Sequence, residues 1–277
     1  MKSISEQLTY STVLIRCTYA NGASGSGTGF IITLCHHKEK NLCVPVLITN
    51  NHVVENSIET IFEFCKADKN QQPVDTETVS FVCPGNLWIP HPDPHVDLRC
   101  LPIAPIIQWS KEQNKEIFYV PLDIGLLPTA EALGKLDALE EVVMIGYPIG
   151  LSDVYNHKPI IRRGITATHP RNNYQGKKEI LLDIAAFPGS SGSPVFILNQ
   201  GTYSKQGAVC MGTRLFLLGI LYAGPQYNAK GDLKFSALPN MPFTLTSIPT
   251  NLGIIIKSER IMEFEELFQK DFDEYEK

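Results

Sequence analysis

Apolar residues in this chain come in short runs cut by turn-formers. In the first half, Thr12–Tyr19, Gly29–Leu34, Cys43–Thr49, Ile58–Cys65, Thr78–Val82 and Leu98–Ile103 predict strands. In the second half, Glu141–Ile145, Ile160–Thr168, Glu179–Ala186, Val195–Leu198, Arg214–Ala223 and Leu252–Ile256 do the same. All are short, as strands are, and Asn-Gly, Pro-Gly and Lys-Gly pairs stand between them. Only Ser258–Tyr275 reads as a helix. Ile261, Phe264, Leu267, Phe268 and Phe272 fall at steps of three and four and make one apolar stripe. Ser258 is its predicted N-cap. The acids Asp271, Asp273, Glu274 and Glu276 oppose the helix dipole, so the last turn is expected to fray.

The pattern predicts an all-β chain in two halves. The first lobe spans 1–125. Ser110–Leu139, with Pro121 and Pro128, is the expected connector, ending near 139. The second lobe spans 140–257, and 258–277 is the closing helix. No internal repeat or low-complexity tract interrupts this layout.

Composition narrows the function. The 277 residues are 43% hydrophobic and only 19% charged, which is a globular composition low in charge. The net charge of −5 gives no broad basic field, so nucleic acid is not expected as a partner. No stretch of 18 apolar residues exists, so no membrane association is expected. Leu8–Tyr19 is broken by Thr9, Ser11, Thr12 and Arg16, so it reads as a strand and not as a secretory signal. The seven cysteines cannot all pair within the chain, and their spacing contains no CxxC. The expectation is reduced, mostly buried thiols and a cytoplasmic location. No cofactor is expected.

Phe187-Pro188-Gly189-Ser190-Ser191-Gly192-Ser193-Pro194 stands between two apolar strands. Taken alone, such octets are ordinary loops. Pro-Gly suits a type II turn, because glycine tolerates positive φ. That turn can aim the N–H groups of Gly189, Ser190 and Ser191 into one concavity, which a developing oxyanion needs. Ser191 would present its hydroxyl beside it. A serine hydroxyl needs a base, and the base needs an orienting acid. All seven histidines precede Ser191, which excludes an order with His after Ser, and the first Asp is Asp68, so an Asp, His, Ser order cannot use His52; the order His, Asp, Ser survives. His52 follows the apolar run Val46–Ile48 on a short polar turn. Asp97 opens an alternating apolar strand. Asp93 is an alternative acid, and a metal site on His91, Asp93, His95 and Asp97 is the rival reading of that loop.

These residues resemble the trypsin/chymotrypsin-type serine peptidases, and most closely their high-temperature-requirement branch. The resemblance covers roughly residues 10–257. It rests on Gly25-Ser26-Gly27-Thr28-Gly29-Phe30-Ile31-Ile32, Ile48-Thr49-Asn50-Asn51-His52-Val53-Val54, Asp97-Leu98, Gly146-Tyr147-Pro148 and Pro188–Pro194. The candidate triad residues lie 45 and 94 residues apart. The resemblance implies one peptidase domain of two six-stranded antiparallel β-barrels with the triad between them. Ser191 would be the nucleophile, His52 the general base and then acid, and Asp97 the group that fixes the imidazole. Gly189 and Ser191 N–H would bind the oxyanion.

Two departures matter. Zymogen-type members carry an Asp just before the nucleophile, where this chain has Ser190. No segment after the body is long enough for a PDZ domain. Regulation is therefore expected from loop ordering, a regulatory partner or oligomerisation. The same resemblance puts the specificity-pocket floor at Ala185 and its wall at Tyr222, Ala223 and Gly224. None offers a carboxylate for a basic side chain, so a small or medium apolar P1 residue of a protein or peptide substrate is expected. The alternative is a silent pseudo-peptidase that only binds proteins.

Overall fold

In a computed structural model of the chain, residues 2–37, 42–205, 207–232 and 243–269 are described. Helix α1 (Ile4–Thr9) leads into the first sheet: β1 (Thr12–Tyr19), β2 (Ser24–His37), β3 (Leu42–Thr49), β4 (Ser57–Ala67), β5 (Pro73–Pro84), β6 (Ile89–Pro90) and β7 (Arg99–Pro102). Its strand order is β5-β4-β1-β2-β3-β7-β6. A four-residue helix, α2 (Asn51–Val54), follows β3.

The segment expected as a connector adds to this sheet instead of leaving it. After α3 (Ala104–Glu112), β8 (Ile117–Phe118) pairs with β4, and β9 (Leu122–Asp123) pairs in parallel with β2. The first lobe is thus a nine-stranded sheet, larger than the six-stranded barrel expected. The added strands are two residues each, too short to show any alternation in the sequence.

After α4 (Ala130–Gly134), six strands close on themselves: β10 (Glu141–Gly146), β11 (Ile160–Thr166), β12 (Glu179–Asp183), β13 (Pro194–Asn199), and then β16 and β19. Between β13 and β16 (Arg214–Ala223) stands the hairpin of β14 (Thr202–Lys205) and β15 (Ala208–Met211). Between β16 and β19 (Leu252–Lys257) stands the hairpin of β17 (Gln226–Asp232) and β18 (Phe243–Pro249). The closed ring is antiparallel, ordered β10-β11-β12-β19-β16-β13, and is the six-stranded barrel expected of the second lobe.

Alternation sorts each strand's side chains between layers. Ile15, Ile31, Leu47, Phe62 and Phe81 fill the first lobe. Val142, Met144, Leu182, Val195 and Ile255 fill the second. Between the lobes lies a third layer, with Phe30, Ile32, Leu34, Val46 and Ile48 on one side and Ile145, Phe196, Leu217, Ile220 and Ile256 on the other. β2, β3, β13 and β16 are therefore buried on both faces. That is why Phe30-Ile31-Ile32 and Val46-Leu47-Ile48 read as unbroken apolar runs. Each such side chain contributes roughly 1.5–3 kcal/mol on burial, so the inter-lobe layer binds the halves firmly.

The C-terminal segment packs on this layer through Ile261, Phe264 and Phe268. Ser258–Phe264 is a 3-10 helix, and residues 265–269 continue as α-helix. Ser258 is buried inside the first turn instead of capping it; the cap position falls on Lys257, whose side chain makes no capping bond. Leu267 is 38% exposed, because tightening the first turns to three residues shifts the stripe away from it. Phe272 and the acidic end lie outside the described residues. Among the described residues no helix is long and apolar enough to cross a membrane.

Candidate active site

His52 sits on α2, which is fixed from three sides. The Cys17 thiol and the Tyr19 hydroxyl both donate to the Val53 carbonyl at 3.1 Å. Arg99 Nε donates to Asn51 Oδ1 at 2.6 Å. Val53 and Val54 are buried, and a Cβ at Gly27 would lie 2.4 Å from a Val53 methyl. Gly27 is required for that close approach.

Asp97 holds His52 at two points. Its Oδ1 accepts the His52 backbone N–H at 2.9 Å, and its Oδ2 stands 2.5 Å from the ring Nδ1. Asn50 Nδ2 donates to the Asp97 carbonyl at 2.9 Å, so the same stretch grips the acid's backbone. With Nδ1–H engaged, Nε2 is the free basic edge of the imidazole. Nε2 makes no hydrogen bond among the described residues, Ser191 Oγ included.

The serine octet forms two successive tight turns. Ser190 N–H donates to the Phe187 carbonyl at 3.0 Å, and Gly189, third in that turn, has φ +85°. This is the type II turn that Pro-Gly predicts. Ser193 N–H donates to the Ser190 carbonyl at 3.0 Å, with Gly192 at φ +87°. The N–H groups of Gly189 and Ser191 make no hydrogen bond among the described residues. They are the pair that an oxyanion would need.

Thr28 ties the serine turn to the strand that leads to His52. Its N–H donates to the Ser191 carbonyl at 2.8 Å. Its carbonyl accepts from Thr49 Oγ1 at 2.7 Å, three residues before His52. Its own hydroxyl donates to the Gly189 carbonyl at 3.0 Å and accepts Tyr147 N–H at 3.0 Å. A Cβ at Gly192 would fall 1.8 Å from the Thr28 carbonyl oxygen, so only glycine allows this approach.

A profile described as "Trypsin-like peptidase domain" matches residues 27–202, more than half of the chain. The chain belongs to the trypsin-like peptidase family. Among solved structures it is similar to "HtrA-type protease AlgW with tripeptide", with a TM-score of 0.50 and 16% identity over 95% of this chain and 61% of that one. It thus spans about 61% of the length of that protein. It is also similar to the serine endoprotease from Yersinia pestis, with a TM-score of 0.48 and 15% identity over 98% of this chain and 68% of that one. At such identities the likeness is one of fold. A comparison with curated proteins found no match.

In this trypsin-like peptidase domain the acid loop does not gather as a metal site. Among the described residues no group of three His, Cys, Asp or Glu could hold a metal ion. Asp93 instead accepts the His95 N–H at 2.9 Å and the Arg260 guanidinium at 2.6 Å, which hold its carboxyl below the ordinary value. His91 Nδ1 accepts Asp93 N–H at 3.0 Å, so its Nε2 carries the proton, 3.0 Å from the Arg260 carbonyl. Asp93 is thereby also removed as an alternative orienting acid. Arg260, which links the C-terminal segment to the loop that ends in Asp97, was not singled out in the sequence, and His91 was weighed there only as a metal ligand.

The predicted pocket residues divide between two cavities. One, of about 150 Å³, is lined by Ala186, Phe187, Pro188, Ser191, Leu221, Ala223, Gly224, Gln226 and Pro249. Ala223 and Gly224 are where the wall was expected. Ala185 does not line it; its carbonyl accepts from Arg162, and Ala186 lines the cavity instead. β12 ends at Asp183, and counting back from Ser191 cannot fix the path of the irregular stretch that follows. Tyr222 lines a separate cleft of about 600 Å³ with Asp97, Lys177, Glu179 and Arg260. Burial, and then its hydrogen bond with Glu179, push the Tyr222 phenol up. Tyr222 lies at a register shift in β16, between Leu221 and Ala223, and it and Ala223 line different cavities.

Thr28, Thr49 and Asn50 also escaped notice, although all three are fully buried. A signal was present: each is a polar residue in or at the end of an apolar run that has no exposed face. Ser190 Oγ, where zymogen-type members carry an acid, is buried without a hydrogen-bond partner among the described residues.

Proposed function

We propose that the domain is a serine endopeptidase working through an acyl-enzyme. Ser191 Oγ attacks the substrate carbonyl while His52 Nε2 takes its proton. Asp97 holds the ring in the tautomer that leaves Nε2 basic and stabilises the imidazolium that forms. The oxyanion settles on the N–H groups of Gly189 and Ser191. His52 then returns the proton to the leaving amine. Water, deprotonated by the same ring, releases the acyl group and restores Ser191. The observation that carries this reading is the two-point grip of Asp97 on His52, with the unengaged Gly189 and Ser191 N–H groups in the serine turn. The Ser191–His52 hydrogen bond is one that bound substrate closes, because catalytic bonds tighten in the Michaelis complex.

The substrate is a protein or peptide with a small or medium apolar P1 side chain. A cavity of about 150 Å³ takes a group about the size of benzene, and among the described residues no carboxylate lines it.

A fluorophosphonate probe tests the reaction. Wild type is labelled and Ser191→Ala is not. An unlabelled wild type is the result expected of a protein-binding pseudo-peptidase. A peptide-library digest then reads the P1 residue. Cuts mainly after Lys or Arg would refute the apolar assignment.

A further inference from the structure

The turn that presents Gly189 rests on the segment after β10. Ile149 N–H donates to the Pro188 carbonyl at 2.6 Å. A Cβ at Gly189 would lie 2.7 Å from the Tyr147 carbonyl and 3.0 Å from Ile149 N. Ile149 has φ +53°, a left-handed backbone that a β-branched residue adopts only under constraint from its surroundings. Ile149 is also 64% exposed, so its own side chain does not supply that constraint.

Next to Ile149, Gly150 N–H donates to the Tyr147 carbonyl at 3.0 Å and Leu151 N–H to the Pro148 carbonyl at 2.8 Å, and the far end of the same loop is tied down as well. Asp153 and Lys158 exchange backbone hydrogen bonds at 3.0 and 3.2 Å and close the loop on itself. Lys158 Nζ then crosses to the first lobe and reaches Asp75 Oδ1 at 2.7 Å. Tyr10 OH donates to the same oxygen at 2.7 Å. The ammonium lies 3.8 Å from the Tyr10 ring centroid, and Phe118 packs edge-on to that ring at 4.9 Å. The Lys158 side chain is 20% exposed and that of Asp75 40%, so the pair is partly desolvated on the lysine side. Three elements distant in sequence meet here, and one of them continues directly into the support of Gly189.

We propose that Lys158 is a positioning residue: bound to Asp75 and Tyr10, it anchors the loop from Tyr147 to Lys158 on the first lobe and so holds the Gly189 N–H where the oxyanion forms. The proposal rests on the reading of Ser191 and Gly189 given above. It takes the place of the ion pair that zymogen-type members make beside the nucleophile, where this chain has Ser190. The device would make oxyanion binding depend on how the loop docks, and leave ground-state peptide binding to the pocket walls.

The test compares Lys158→Met, Lys158→Arg, Asp75→Asn and Tyr10→Phe in the full chain. Readouts are kcat and KM on a peptide substrate, the rate of fluorophosphonate labelling, and inhibition by a peptide aldehyde against the matching peptide amide. The expectation for Lys158→Met is a fall of about tenfold to a hundredfold in kcat and labelling rate, the scale of a misplacement of about 1 Å. KM and amide binding stay within about twofold, and the aldehyde weakens with kcat. Lys158→Arg restores most of the rate. The double variant of Lys158 and Asp75 is no worse than Asp75→Asn alone, because that change already removes the carboxylate that both Lys158 and Tyr10 bind. Tyr10→Phe keeps the ring under the ammonium and guards against a folding defect; it lowers kcat severalfold with a melting curve that falls less than that of Asp75→Asn. A labelled wild type with Lys158→Met and Tyr10→Phe at wild-type kcat overturns the anchor alone. An effect confined to KM overturns it too. A wild type that is not labelled overturns the anchor together with the reading beneath it.

Discussion

Thr28→Val removes one hydroxyl and little else. The side chains are nearly the same size, so no cavity opens, and β-branched valine suits a strand. Two buried groups lose their partner: Tyr147 N–H and the Gly189 carbonyl, each now 3.0 Å from Thr28 Oγ1. An unsatisfied buried group costs about 1–3 kcal/mol, so the pair costs about 3 kcal/mol after allowing for some relaxation. For a chain of this size about 2 °C of melting temperature corresponds to each kcal/mol, giving a drop of about 6 °C. Relaxation moves the Gly189 turn, because the lost bond is on its carbonyl. Loss of one oxyanion donor costs about 10²–10³ in rate, so a displaced donor is expected to lower kcat by at least about tenfold. KM should hardly change, since Thr28 does not line the 150 Å³ pocket. The assays are thermal melting and steady-state kinetics, with Thr28→Ser as the control that keeps both bonds. A Thr28→Val protein melting within 1 °C of wild type, as an order-of-magnitude threshold, with kcat within about twofold, would refute the reasoning.

Glu140 and Arg214 form a nearly buried bidentate pair, 5% and 11% exposed, with bonds of 2.6 and 3.2 Å. Glu140→Ala strands the guanidinium and should cost about 3–5 kcal/mol in a denaturation curve. Burial alone would raise the Asp75 carboxyl, but the bonds from Lys158 and Tyr10 outweigh it and hold it below the ordinary value. Its contribution to stability is therefore complete above about pH 4 and lost as pH falls through the lowered native value. Melting curves of Asp75→Asn should approach those of wild type as acid is added; a gap that stays constant would contradict this. Burial pushes the Cys17 and Cys35 thiols up to about 11, while Cys43 is exposed. Alkylation of the native protein near pH 8 should modify Cys43 well before Cys17 or Cys35, as read by peptide mass mapping.

The sequence by itself determined the strands whose faces are both buried. Val46–Ile48 and Arg214–Ala223 have no polar face to offer water, so the run of residues alone marks them as interior strands. It also determined the Pro188-Gly189 turn, because positive φ is a property of one residue. Chain order alone led to the candidates His52, Asp97 and Ser191, of which the structure puts Asp97 against His52. What lies across space was not legible. The two-residue strands β8 and β9 exist only because β4 and β2 offer them an edge. Ala186 replaces Ala185 because an irregular backbone has no period to count. Thr28 has no motif of its own. Its significance comes from four partners, Ser191, Thr49, Gly189 and Tyr147, that hydrogen bonding selects only after both lobes have packed. Local conformation follows from neighbours along the chain. Pairing of buried polar groups follows from neighbours in space, and only the folded structure supplies those.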